Sequence, residues 1–326
     1  MFSDAIRRLS QRLGLLAGVC LVAGACAFTR PPTVTPRPSQ ANVIALPTTL
    51  PDNLTYEQTL PLFEYDRSVP FAVQEKAAYP VEQAVVHDIT YMGANGVVMP
   101  AYLVIPTGQG PFAGVLWMGW TGGYSQIREE FLQESINLAT KGVASILVAG
   151  YFPWYVTPRD KDSDRAGMIG QVRELRRALD LLTARAKVDP GRIAFVGHSM
   201  SAMHGATLTA VDRRIKAAVL MAPNDCMADW IFMGYGLDPA TEKPYRAAMA
   251  PFDPTVFLPH AAPAALFFQF GADDLYVTQQ AAKTLYEAAS QPKLGNFYSG
   301  GHDLDSQAMA DRDRWLAAQL GLKGWN

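Results

Sequence analysis

The sequence predicts an α/β fold: a mostly parallel, eight-stranded sheet with helices on both faces and a small cap inserted near its C-terminal edge. Three observations predict it. Short, wholly apolar runs such as Phe112 to Gly119 and Val143 to Ala149 read as strands buried on both sides. Longer segments of helical period separate them, as parallel crossovers require. The chain of 326 residues is 49% apolar, ample for one large core.

The elements follow in order. Ala84 to Tyr91 and Val97 to Ile105 flank Gly93-Ala94-Asn95-Gly96 and read as an opening antiparallel hairpin. Pro106 to Pro111 is a Gly/Pro turn before the buried strand at Phe112. Ile127 to Lys141 has helical period and stops at Gly142, and the strand from Val143 follows. Asp164 to Ala186 is a long amphipathic helix whose stripe is Ile169, Val172, Leu175, Leu179 and Leu182. Asp189-Pro190-Gly191 closes that connection. Strand, helix and strand then read as Arg192 to Val196, Met200 to Ala210 and Ile215 to Met221. After a long interruption come a strand at Ala264 to Phe270, a helix at Thr278 to Ala289, a strand at Leu294 to Tyr298 and a helix at Asp303 to Leu320. The interruption, about 224 to 260, is rich in Pro, Met and aromatic residues and reads as the cap.

The body is expected over 56–326, with no internal repeat. Before it, Arg7, Arg8 and Arg12 precede an uncharged apolar run from Leu13 to Phe28. That run is short for a membrane span and suits a signal peptide over residues 1–25. Its end, Ala23-Gly24-Ala25-Cys26, resembles a bacterial lipobox, in which Cys26 would carry the lipid; ordinary cleavage after Ala25 is the other reading. Either way the body is expected to be exported, and the first reading anchors it to a membrane. Residues 26–55 hold a Pro/Thr-rich stretch that cannot build a core and reads as a tether. The net charge of −2 gives no basis for a nucleic-acid surface. Cys226 is left alone in the body, so no internal disulfide is expected there, and no Cys/His cluster has metal-ligand spacing. Oligomeric state is not legible.

Chemistry concentrates in three loops at predicted C-terminal strand ends, where open α/β sheets place their sites. Ser199 follows Arg192-Ile-Ala-Phe-Val-Gly-His and precedes a helix at once: strand, sharp turn with one serine, helix. That is the layout of a nucleophile elbow. Asp274 ends Gly271-Ala-Asp-Asp, and His302 ends Ser299-Gly-Gly-His. Serine is a weak nucleophile unless a base takes its proton and an oxyanion site receives the charge. His302 suits the base, and Asp274 suits the group that orients it. Ser201 is a second serine, but it falls within the helix. Asp273 and Asp225 stay open as alternative acids.

These loops, in this order, resemble those of the α/β-hydrolases. Gly197-His-Ser-Met-Ser201 is similar to G-x-S-x-G, with serine at the second glycine position. Gly271-Ala-Asp-Asp274-Leu-Tyr-Val277 resembles the acid loop and Gly301-His302-Asp303 the histidine loop, and the likeness runs from about residue 80 to 322. The start, Val97-Val-Met-Pro-Ala-Tyr-Leu-Val-Ile-Pro, is similar to the dienelactone-hydrolase-like and prolyl-oligopeptidase-like branch, here with a Ser nucleophile. The resemblance implies the backbone N–H groups of Trp120 and Met200 as oxyanion donors, since Met118-Gly-Trp-Thr-Gly-Gly123 stands where that loop falls. It implies a serine hydrolase of carboxylic esters, an esterase or lactonase acting through an acyl-enzyme on a small-molecule substrate, with no metal and no organic cofactor. Two other readings remain: a serine peptidase of the prolyl-oligopeptidase-like type, and a catalytically degenerate surface lipoprotein that binds a ligand or partner. Acyl or lactone preference is not legible. Tyr151 to Tyr155 and the cap residues Trp230, Phe232, Met233 and Tyr235 either line a pocket or simply pack. His87, His198, His204 and His260 have structural readings, and Arg159, Lys161 and Arg165 read as a solvated face.

Overall fold

The computed structural model describes residues 44–122, 125–126, 128–150, 160–232 and 238–324. The signal segment, Cys26 and most of the tether lie outside these residues, as do Tyr151 to Tyr155, Arg159, Met233 and Tyr235. A nine-stranded sheet has the order β1-β2-β3-β7-β4-β8-β9-β10-β11. Its strands are β1 (Gln74–Val81), β2 (Ala84–Met92), β3 (Val98–Pro106), β4 (Phe112–Met118), β7 (Val143–Val148), β8 (Val188–His198), β9 (Ala217–Met221), β10 (Ala265–Gly271) and β11 (Lys293–Tyr298). β1, β2, β3 and β7 pair antiparallel. β7, β4, β8, β9, β10 and β11 run parallel. A separate ribbon, β5 (Thr121–Gly122) with β6 (Ser125–Gln126), follows β4.

The apolar runs are continuous because both faces are covered. Along β4, Leu116 and Met118 join the core on one face and Val115 and Trp117 the core on the other. The first face is packed by the helices Lys161–Arg185, Met200–Val211 and Gln279–Ala288; the second by Leu132–Ala139 and Ser306–Gln319. We call these helices α3, α4, α8, α2 and α9 respectively; α1 is Tyr56–Thr59. The predicted cap region holds α5 (Met227–Phe232), α6 (Pro239–Met249) and α7 (Pro254–Phe257).

The extra strand is β1. Its residues alternate between exposed and half-buried and include Pro80, so no apolar pattern marks them. They sit at the sheet edge, where proline is tolerated. β8 begins earlier than expected, at Val188. The ladder to β4 breaks between Phe112↔Val188 and Gly114↔Ile193, and the Gly191 N–H donates to the Asp189 carboxylate within the break, so the Asp-Pro-Gly turn lies inside the strand's limits.

The solvated-face reading is corrected at Arg165. Arg165 is fully buried; its guanidinium donates to the carbonyls of Leu50 (2.9 Å) and Pro51 (3.0 Å) and pairs with Asp52 and Asp162. Arg173 donates to the carbonyls of Ile44 (2.7 Å) and Leu62 (2.9 Å), and Arg176 to that of Phe63 (2.6 Å). The side chains of Leu46, Leu50 and Leu54 pack on the core. The packed body therefore includes residues 44–55, which the sequence reading gave to the tether.

Candidate active site

Four parallel strands deliver the candidate residues. The β4 end leads to Trp120, β8 to Ser199, β10 to Asp274 and β11 to His302. Ser199 stands between the last residue of β8 and the first of α4 with φ +64° and ψ −128°. A non-glycine residue at positive φ is strained, and its neighbours must hold it there. They do: the Ser199 N–H donates to the Met221 carbonyl at 2.7 Å, and its carbonyl accepts from Ala202 and Met203. Gly197 permits the sharp entry, because a Cβ there would meet the Phe195 ring at 2.7 Å and the Ser201 carbonyl oxygen at 2.8 Å. The substituted elbow position, Ser201, is fully buried, and its hydroxyl donates to the Gly119 carbonyl at 2.5 Å. The turn thus closes with serine there, and Ser201 ties the β4 loop to the elbow.

His302 Nδ1 lies 2.8 Å from Asp274 Oδ2. The other oxygen, Oδ1, accepts from the N–H groups of Tyr276 (2.7 Å) and Val277 (3.1 Å). Burial opposes ionisation of Asp274, but the His302 hydrogen bond and charge and these two amides hold its carboxyl below the usual carboxylate range. An ionised carboxylate only accepts, so His302 bears its proton on Nδ1 and a lone pair on Nε2. That Nε2 and Ser199 Oγ are both buried and without a hydrogen-bond partner. Two orphaned, complementary groups are the exception in a folded protein and suit a proton about to be moved. Both loops meet at the elbow, where the His302 ring lies 5.1 Å from that of His198, the residue before Ser199.

Of the alternative acids, Asp273 uses its backbone N–H on the Gly300 carbonyl and its side chain is exposed. Asp225 sits after β9, and burial pushes its carboxyl up. His302 Nδ1 pairs with neither. His87 pairs with Glu75 at 2.6 Å, and His260 stacks on Tyr56 at 3.6 Å. His204 is buried on α4, and burial drives its ring down to about 3. Cys226 is half-buried, and burial raises its thiol to about 11.

Met200 is the first residue of α4, so its N–H is among those a helix start leaves unpaired within the helix, and it directly follows Ser199. Trp120 differs from expectation. Its N–H donates to Glu130 Oε2 at 2.6 Å, so that amide is taken by a carboxylate in this structure. Glu130 escaped the sequence reading because it lies ten residues beyond Trp120 in a helix approach with no motif. His198, read as the variable elbow residue, is nearly fully buried; its Nδ1 lies 2.6 Å from Glu130 Oε1 and its Nε2 2.9 Å from the His302 carbonyl oxygen. From the cap, Trp230 stacks on the His302 ring at 5.4 Å and 24°, and Tyr276 meets it edge-on at 5.0 Å.

No family model matches the chain, and no curated protein matches its sequence. Solved structures do match its fold. Acetyl xylan esterase 1 from Thermoanaerobacterium sp. JW/SL YS485 superposes with a TM-score of 0.67 at 13% identity, covering 81% of this chain and 93% of that one. The acetyl xylan esterase from Paenibacillus sp. R4 gives 0.65 at 19% identity, covering 81% and 92%. The alpha/beta hydrolase GrgF from Penicillium sp. sh18 gives 0.53 at 14%, covering 72% and 99%. With the nine-stranded sheet, these likenesses give the chain the α/β-hydrolase fold.

Proposed function

We propose that the chain is a serine hydrolase that cleaves carboxylic esters, of esterase or lactonase type, in the dienelactone-hydrolase-like branch. The observation that carries the reading is the pairing of His302 Nδ1 with Asp274, which leaves Nε2 buried and without a hydrogen-bond partner, as the Ser199 hydroxyl also is. Ser199 Oγ attacks the acyl carbon while His302 Nε2 takes its proton. Asp274 stabilises the imidazolium and fixes its tautomer. The tetrahedral oxyanion receives the Met200 N–H, while the Trp120 N–H stays on Glu130 and holds that loop in place. Collapse expels the alcohol, which leaves with the His302 proton. Water, deprotonated by His302, then releases the acid. Each step uses side chains and amides of this chain, with no cofactor. That solved structures of like fold include acetyl xylan esterases supports an ester as the small-molecule substrate. On this reading residues 1–25 would export the enzyme, and it would either be held on a lipid at Cys26 or be secreted.

The test is Ser199→Ala. Turnover of p-nitrophenyl butyrate is expected to fall by about a thousandfold or more, with circular dichroism unchanged. Wild type should react with a fluorophosphonate at Ser199 alone. Retained turnover in the variant, or labelling elsewhere, would sink the assignment; absent labelling in folded wild type would favour the degenerate binding protein.

A further inference from the structure

The ring of His198 makes two contacts that together fix its protonation. Nε2 faces the backbone carbonyl of His302, which can only accept, so Nε2 carries a hydrogen. Nδ1 faces Glu130 Oε1 at 2.6 Å, and a contact that short needs a proton between the two atoms. The pair therefore holds two protons, as an imidazolium against a carboxylate. The remaining oxygen of Glu130 accepts from the Trp120 N–H. The same peptide unit is held at its other end, where the Gly119 carbonyl accepts from Ser201.

The histidine loop and the β4 loop thus converge on the elbow. His198, one residue before Ser199, grips the histidine loop through the His302 carbonyl and the β4 loop through Glu130. Ser201, two residues after Ser199, grips the β4 loop directly. We propose that His198 and Glu130 form an ionic clamp that positions the His302 ring and the Gly119–Trp120 peptide around Ser199, and that the clamp opens when the pair gives up its shared proton. This rests on the serine-hydrolase reading. His198 and Glu130 are positioning residues and touch no reacting atom.

The electrostatics agree with the geometry. Burial alone would lower the His198 ring, but the hydrogen bond and charge of Glu130, the His302 carbonyl and the charge of Asp303 raise it above its ordinary value. The titratable groups facing it are Glu130 from the approach to α2 and His302 and Asp303 from the histidine loop, with Asp274 behind His302. A raised histidine stabilises the fold fully below about 6.5, the ordinary value, and loses that contribution as pH climbs through the raised value. Deprotonation would leave a lone pair on Nδ1 against the carboxylate, and the contact would part. The loss falls on the alkaline side.

The experiment takes the full chain as wild type, His198→Gln and Glu130→Gln, each checked for folding by circular dichroism and melting. Rates on p-nitrophenyl acetate are followed across pH. Wild-type kcat is expected to rise on the acid side and fall again on the alkaline side. His198→Gln should lower kcat by about tenfold or more, as small misplacements of reacting groups do, with KM nearly unchanged and the alkaline fall abolished. Glu130→Gln should move that fall to lower pH, because the charge that retains the proton is gone. A wild type without the alkaline fall, or a His198→Gln variant that keeps both the fall and the wild-type kcat, overturns the clamp. Histidine-labelled NMR reads it without turnover: His198 should show two ring N–H signals at neutral pH and lose one as pH rises. A single signal at neutral pH overturns the proposal. Failure of wild type to cleave any ester overturns the hydrolase reading instead, and the NMR result still decides the clamp.

Discussion

A β-carbon on residue 271 would lie 2.1 Å from the Gly301 carbonyl oxygen. The acid loop and the histidine loop can therefore approach only because the first begins with glycine. Gly271→Ala is expected to push the histidine loop outward and lengthen the contact between His302 and Asp274. Activity should fall by about a hundredfold, the scale of an ångström's misplacement, while melting changes far less; an alanine variant with wild-type kcat would refute this. Such residue-scale constraints are what a sequence shows best. Gly197, Gly271 and Gly301 each sit a fixed few residues from the side chain they serve, so the candidate nucleophile, base and acid were all legible. The occupied Trp120 amide was not. Where a backbone N–H points depends on what the rest of the fold sets against it, here Glu130 from another loop. For the same reason Ser201 showed only as a missing glycine, and its bond to Gly119 had no local mark.

At the scale of elements, buried strands and their helices were legible because both faces of the sheet are covered and the apolar runs are unbroken. β1 was missed because an edge strand needs no such pattern. The larger miss was at α3, where Arg165 looks like part of a solvated face. Arg165, Arg173, Arg176 and Arg177 instead turn inward and satisfy the carbonyls of residues 44–69, a segment with few ladder bonds of its own. A guanidinium can do this because it offers five donors in a planar fork. Arg173→Ala would leave the carbonyls of Ile44 and Leu62 without this donor at a part-buried site. Two charge-assisted hydrogen bonds lost should cost about 3 kcal/mol, read as a lower urea midpoint with the slope unchanged. Ester turnover by the folded fraction should persist, because the strap of residues 44–69 contains none of the elbow, acid-loop or histidine-loop residues. A midpoint equal to wild type would refute the strap's role.

Across the whole molecule, the sheet carries the candidate reacting groups, and on the proposed reading the cap decides what reaches them. Ser199 Oγ and His302 Nε2 are both closed off from solvent. The described part of the cap that covers His302 is Trp230 of α5, stacked on its ring at 24° and 7% exposed. An indole there forms a wall against the reacting pair, so the room for an acyl chain depends on it. Replacing it with a smaller apolar residue should favour longer acyl groups, since each methylene accommodated in a hydrophobic pocket is worth roughly 1–3 kcal/mol. The Trp230→Leu variant keeps the site apolar and limits the loss of packing. Its ratio of kcat/KM for p-nitrophenyl butyrate over acetate is expected to rise by about tenfold. The ratio is the proper readout because both substrates meet the same folded enzyme, so partial unfolding cancels. The His302–Asp274 pair stays in place, so the acid side of the pH profile should be that of wild type. An unchanged ratio would mean that the acyl chain does not pass Trp230, and that the cap covers the base without setting the size of what it acts on.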